Sequence, residues 1–181
     1  MPTHRVKDMS LADKGQKRID RAISEMPVVK ILGQELARNH KIFGFKIGAC
    51  LHVTAETAAL VVALRDAGAR IALCASNPLS TQDDVAAALA AHHDILVFAE
   101  HGETSEEYQE CLRLVAKTDP QIVIDDGADL ISCLHNHCAS HLDKIFGACE
   151  ETTSGVNRLR AMEHDGALKI PVVAVNSSRI K

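Results

Sequence analysis

The stretch Gly48-Ala49-Cys50-Leu51-His52-Val53-Thr54-Ala55-Glu56-Thr57 reads as the end of a buried strand turning into a helix. Upstream, Phe45-Lys46-Ile47-Gly48-Ala49 is short and apolar, and downstream residues 58–64 are rich in alanine, leucine and valine. Three polar side chains, His52, Thr54 and Glu56, sit at the turn. In open α/β sheets ligands bind in the crevice outside the carboxyl ends of the strands, so side chains at such a turn are well placed for chemistry.

Working outward, the same alternation recurs. Strands are expected at 45–50, 70–74, 94–98, 121–125, 145–149 and 171–175, with helices near 55–67, 82–92, 104–117, 128–138 and 153–165. Short, fully apolar strands separated by helices argue a doubly wound, Rossmann-like α/β fold, a mostly parallel sheet with helices on both faces. Two N-terminal helices precede it. Ser10 is the expected N-cap of the first, Ile19, Ile23 and Met26 recur at helical spacing along it, and Pro27 opens the second. This divides the chain into a helical segment, 1–44, and an α/β domain, 45–181.

Right-handed crossovers put every strand's carboxyl end on one edge. That edge collects His52, Thr54 and Glu56, the residues from Ser76 to Asp83, Asp125, Asp126 and Asp129, the run from Glu150 to Ser154, and Asn176, Ser177, Ser178 and Lys181. The opposite ends, such as Ala67-Gly68-Ala69 and Asp119-Pro120, read as plain turns. Polarity confined to one edge is the signature of a site, because ordinary loop polarity would be spread over both.

The 181 residues carry a formal charge of −4, 46% hydrophobic and 24% charged residues, with no basic stripe and no apolar run long enough to span a bilayer. A soluble, cytoplasmic protein is expected, with no nucleic-acid or membrane partner. The six cysteines lack paired CxxC spacing and lie in apolar patterns, so free buried thiols are expected.

Each polar cluster has a structural and a functional reading. His52 is either a loop histidine satisfied by the backbone or a proton carrier near neutral pH. Asp125-Asp126-Gly127 is either a helix N-cap or an acid/base site. Glu150-Glu151-Thr152-Thr153 is either a capping element or a carboxylate pair whose repulsion shifts its titration. Cys133, His137 and His141 recur at i, i+4 and could share a helix face as metal ligands, but they fall along a helix body away from the site edge, and no metal is expected. No GxGxxG fingerprint follows any strand, so the chain alone is not a standard dinucleotide binder.

Taken together, residues 48–58, 77–83, 102–108, 124–130 and 150–156 resemble the S-adenosylhomocysteine hydrolase family, in order and at the family's spacing over nearly all of residues 8–181. The resemblance implies reversible hydrolysis of S-adenosylhomocysteine to adenosine and homocysteine, with NAD as internal redox cofactor, in a homo-oligomer acting on a small-molecule substrate. It implies that His52 and Asp126 transfer protons near the 5′ leaving group. Thr54 and Glu56 would hold adenosine, with the glutamate accepting from the adenine amino group. Glu151 would hold the ribose and support Lys181, which helps deprotonate the 3′-hydroxyl. Thr152, Thr153 and Ser154 would contact NAD from the substrate side. The chain departs from the family at Ser177, Arg179 and Ile180, at Ala128, where a second glycine is usual, and at Cys149, which replaces a serine. The chain is expected to supply the substrate-binding half of the enzyme, to end at the hinge before the NAD-binding domain, and to be inactive alone. The alternative is a truncated, non-catalytic relative that binds adenosine or a partner chain.

Overall fold

A computed structural model describes residues 4–178; Lys181, like Arg179 and Ile180, lies outside the described residues. Six parallel strands form one sheet in the order β3-β2-β1-β4-β5-β6. They are β1 (Lys46–Cys50), β2 (Arg70–Cys74), β3 (Leu96–Phe98), β4 (Ile122–Asp125), β5 (Gly147–Glu150) and β6 (Val172–Ala174). The helices are α1 (Ala12–Glu25), α2 (Pro27–Asn39), α3 (Ala55–Asp66), α4 (Asp83–His92), α5 (Ser105–Ala116), α6 (Asp129–His137) and α7 (Thr153–His164). The winding reverses between β1 and β4, and their carboxyl ends open the crevice where such sheets bind ligands.

Period-two alternation sorts the strands' side chains onto two faces. Ile47 and Ala49 of β1, Ile71 and Leu73 of β2 and Val97 of β3 pack with α1, α3 and α4. Cys50, Ala72, Cys74, Phe98 and Val123 pack on the other side with α5, α6 and α7. With few aromatic side chains, this core is built from small aliphatic ones, and the helices approach closely. All six cysteines are free; four are buried, and Cys138 and Cys149 are half-buried.

The N-terminal region differs in detail from the sequence expectation. A short 3-10 turn, Met9–Leu11, precedes α1, and Asp8 rather than Ser10 caps it, accepting from the Ser10 amide at 2.9 Å. A carboxylate two residues upstream reaches that amide, which turns Ser10 into the capped residue. The buried stripe of α1 is Ala12, Gly15, Ile19 and Ala22, while Ile23 and Met26 are only partly buried. Small residues carry the contact because α1 crosses α4 where the backbones nearly touch. Arg5 bridges to the β3 edge, accepting from the Ala99 amide and donating to the Val97 carbonyl at 2.9 and 2.8 Å. Its guanidinium pairs with Glu100, Glu107 and Glu110. An otherwise open strand edge is thereby covered.

His93, just past α4, is buried between Arg65 and Gln16. Arginine cannot accept a hydrogen bond, so Nδ1 accepts from Arg65 at 3.0 Å and Nε2–H donates to Gln16 at 2.7 Å. Burial, reinforced by the Arg65 charge, lowers the His93 pKa. The folded state therefore favours neutral imidazole. This stabilisation is complete above the ordinary histidine value of about 6.5 and is lost as pH falls through the lowered one. The stability advantage of wild type over His93→Gln is expected to shrink as urea unfolding is repeated from pH 7.5 down to pH 5; a constant difference would refute the assignment.

Candidate functional site

The loops following β1, β2, β4 and β5 meet over the reversal point. Val53 in the first pairs with the second through its amide to the Ser80 carbonyl and its carbonyl from the Gln82 amide, both at 2.9 Å. This fixes His52, whose side chain stays largely exposed, beside the β4 loop. The His52 Nε2 lies 3.4 Å from Asp126 Oδ2, and the Ser76 hydroxyl donates to the same oxygen at 3.1 Å. The Asp126 amide donates to the Cys50 carbonyl at 3.0 Å, anchoring the aspartate to the end of β1. Residues 52, 76 and 126, distant in sequence, thus share one proton-bearing cluster.

Burial raises the Asp126 pKa, with the Ser76 hydroxyl and the His52 charge opposing and Glu151 and Glu150 adding to the rise. A carboxyl of raised pKa in contact with an imidazole is an arrangement through which a proton can pass. Asp125 has a different role. Fully buried, it accepts from the Asp126 amide at 3.0 Å and from the Ile131 amide in the first turn of α6 at 2.7 Å. Burial pushes its carboxyl up to about 7, against the Ile131 amide and with help from Glu150. Asp125 takes the capping role at the start of α6, and Asp126 faces the crevice.

At the end of β5 the two adjacent glutamates separate. Glu150 is 0% exposed, whereas Glu151 is exposed on the ligand edge. Glu150 Oε1 accepts from the Gly127 amide, the Thr152 amide and the Thr152 hydroxyl at 2.9, 2.9 and 2.7 Å, and Oε2 accepts from the Ala128 amide at 2.9 Å. Thr152 caps α7, its hydroxyl accepting from the Gly155 amide at 3.0 Å. Thr153 and Ser154 lie exposed in the first turn, where the Thr153 hydroxyl donates to Asn176 Oδ1 at 3.2 Å. Thr54 likewise caps α3, and its hydroxyl is the main cause holding the exposed Glu56 carboxyl below its ordinary value.

Some of the edge polarity is structural. Asn77 and Ser80 satisfy their own turn, and Asp83 accepts from the His101 amide at 2.8 Å. The Tyr108 hydroxyl lies 2.8 Å from Asp129 Oδ2 and 3.1 Å from the Ser76 carbonyl, while Arg158 Nη1 donates to Asp129 Oδ1 at 2.6 Å. This knot under the site, like the Glu150 contacts, was not read from the sequence. A lone tyrosine in α5 and an arginine in α7 carry no spacing signal. Cys133, His137 and His141 do not share one helix face: α6 ends at His137, and His141 lies in a separate 3-10 segment, 2.9 Å from Asp119. Among the described residues no group of three His, Cys, Asp or Glu side chains is placed to hold a metal ion, and no helix is long and apolar enough to cross a membrane.

The architecture and the His52–Asp126 contact define a doubly wound α/β domain with a histidine–carboxyl cluster at the carboxyl edge of its sheet. A family model described as S-adenosyl-L-homocysteine hydrolase matches residues 3–141 and 137–181, and the chain belongs to that family. It is 52% identical to an adenosylhomocysteinase of Aquifex aeolicus over 97% of its length, and 48% identical to one of Pyrococcus abyssi over 97%. It is also 47% identical, over 96% of its length, to a protein of Methanosarcina mazei named S-inosyl-L-homocysteine hydrolase. In each case the chain spans 42% of the relative's length.

Proposed function

We propose that this chain is the substrate-binding portion of an NAD-dependent adenosylhomocysteinase, a cytoplasmic homo-oligomer that interconverts S-adenosylhomocysteine with adenosine and homocysteine. The observation carrying this reading is the His52–Asp126 contact at the sheet's reversal point in a chain of this family. His52 and Asp126 hold and move a proton beside the 5′ sulfur, so that homocysteine departs as a thiol and water enters in its place. Glu151 binds ribose hydroxyls, and Lys181 exchanges the 3′-hydroxyl proton. The exposed Thr153 and Ser154 in the first turn of α7, with Thr152 capping it, present hydroxyl groups to one side of a dinucleotide, so the residues present fit NAD as one wall of its site. Bound NAD supplies reversible oxidation of the ribose 3′-hydroxyl, which acidifies the 4′ proton.

Glu56 bears on the choice of base. An ionised carboxylate accepts from the adenine 6-amino group but repels the 6-oxygen of hypoxanthine. Isothermal calorimetry is expected to show adenosine binding this chain better than inosine, with Glu56→Gln weakening adenosine by about tenfold, a loss of ~1.4 kcal/mol, and narrowing the preference. The name of the Methanosarcina relative favours a second reading, in which the nucleoside is inosine; inosine binding more tightly than adenosine would establish it. Full-length enzyme with NAD that releases no adenosine from S-adenosylhomocysteine would refute the first reading.

A further inference from the structure

We infer that Glu150 is a positioning residue: its buried carboxylate holds the β4 and β5 loops together and thereby sets the place of Asp126 against His52 and of Glu151 at the ribose. The inference rests on the roles proposed above for His52, Asp126 and Glu151. Gly127 and Ala128, immediately after Asp126, both have positive φ, +103° and +62°. Their amides point inward together, forming the kind of concavity that ordinarily receives an anion. Glu150 fills it from the neighbouring strand, where its register partner is Asp125, the residue before Asp126.

The same carboxylate takes both donors of Thr152, one residue beyond Glu151, so Asp126 and Glu151 are each flanked by a backbone group tied to one side chain. Two further links close the frame, the Glu151 amide to the Asp125 carbonyl at 3.0 Å and the Asp126 amide to the Cys50 carbonyl at 3.0 Å. The first turn of α7 presses on the carboxylate: a Cβ added at Gly155 would collide with both oxygens and Cδ of Glu150. Only glycine there lets the helix approach. Glu150 therefore reads as a specific fit among three elements, and it touches the reacting groups only through the residues that it holds.

Glu150→Gln is the sharpest probe. Its amide oxygen can retain the Gly127 and Thr152 donors, while its NH2 group faces the Ala128 amide and removes that one acceptor. In full-length, NAD-loaded enzyme, kcat for S-adenosylhomocysteine hydrolysis is expected to fall about 10- to 100-fold, with a smaller change in KM. The limb of the pH profile belonging to the His52–Asp126 pair is expected to shift. Glu150→Asp keeps the carboxyl group but is one methylene too short to span both loops, and should show the same signature; it carries the test if the glutamine variant does not fold. A folded variant with wild-type kcat and pH profile would overturn the inference, as would lowered stability with unchanged turnover per folded molecule. Hydrogen exchange on the wild-type chain is independent of activity. The Gly127, Ala128 and Thr152 amides are expected to open together and slowly, and exchange at free-loop rates would also overturn it. If slow exchange accompanies a full-length wild type inactive on S-adenosylhomocysteine, the proposed function fails while the clamp stands.

Discussion

Asp126→Asn, made in the full-length enzyme, is expected to lower kcat for S-adenosylhomocysteine hydrolysis by about 10²- to 10⁴-fold, the range of positioned acid/base groups. The substitution is close to isosteric, and an asparagine oxygen can still accept from Ser76 and from a His52 N–H, so the loop should keep its shape. What is lost is the ability to take up a proton at a group whose pKa burial has already raised. Because Asp126 and His52 share one contact, 3.4 Å across, their effects should not add. The double variant with His52→Ala is expected to be little slower than the worse single one. Adenosine affinity, which the proposed function assigns to Thr54 and Glu56, should change little. A kcat within about twofold of wild type would remove Asp126 from the chemistry.

Gly15→Ala sets two physical effects against each other. In an exposed helix interior, alanine for glycine stabilises by about 1 kcal/mol. Here a Cβ at position 15 would collide with the backbone carbonyl of Asp84 and meet the Ala88 Cβ at 3.0 Å. A carbonyl in the first turn of α4 cannot swing aside, so α1 must lift off. That also strains the Arg18 pair with the buried Asp84, 2.9 Å at its closest, and the contact of Ile19 with the core. Overpacking wins, and the expected net loss is about 3 kcal/mol, or about 6–12 °C in Tm for a chain of this size. Calorimetric unfolding that shows an unchanged or raised Tm would mean that the helices are not in this contact.

The strands and helices were readable because their patterns are local. Every expected strand and helix has its counterpart, with the ends in the α/β region displaced by two residues or fewer and the second N-terminal helix running to Asn39 rather than Leu36, since runs such as Ile71-Ala72-Leu73-Cys74 can be buried only between two layers of helices. The errors lie where a contact from elsewhere outweighs the local signal. Asp8 displaces Ser10 as a cap because, from an extended backbone, its carboxylate accepts from the Ser10 amide and starts the helical turn two residues earlier. Ala12, Gly15 and Ala22 join Ile19 in the fully buried stripe of α1 because α4 comes close there, while Ile23 and Met26 pack on the margin of the core.

The site divides in the same way. Its edge was visible in the sequence as one-sided polarity, and membership of the family in the motifs along that edge. Among the described residues, the sequence by itself determined which lie at the carboxyl edge of the sheet, because strand period and crossover handedness leave no choice of side. Only the tertiary structure decided what each does there. Asp125 and Asp126 are alike in sequence, as are Glu150 and Glu151, yet one member of each pair is buried holding backbone amides while the other faces the crevice. That split depends on which amides the neighbouring loops bring within hydrogen-bonding distance, and no spacing along the chain encodes it.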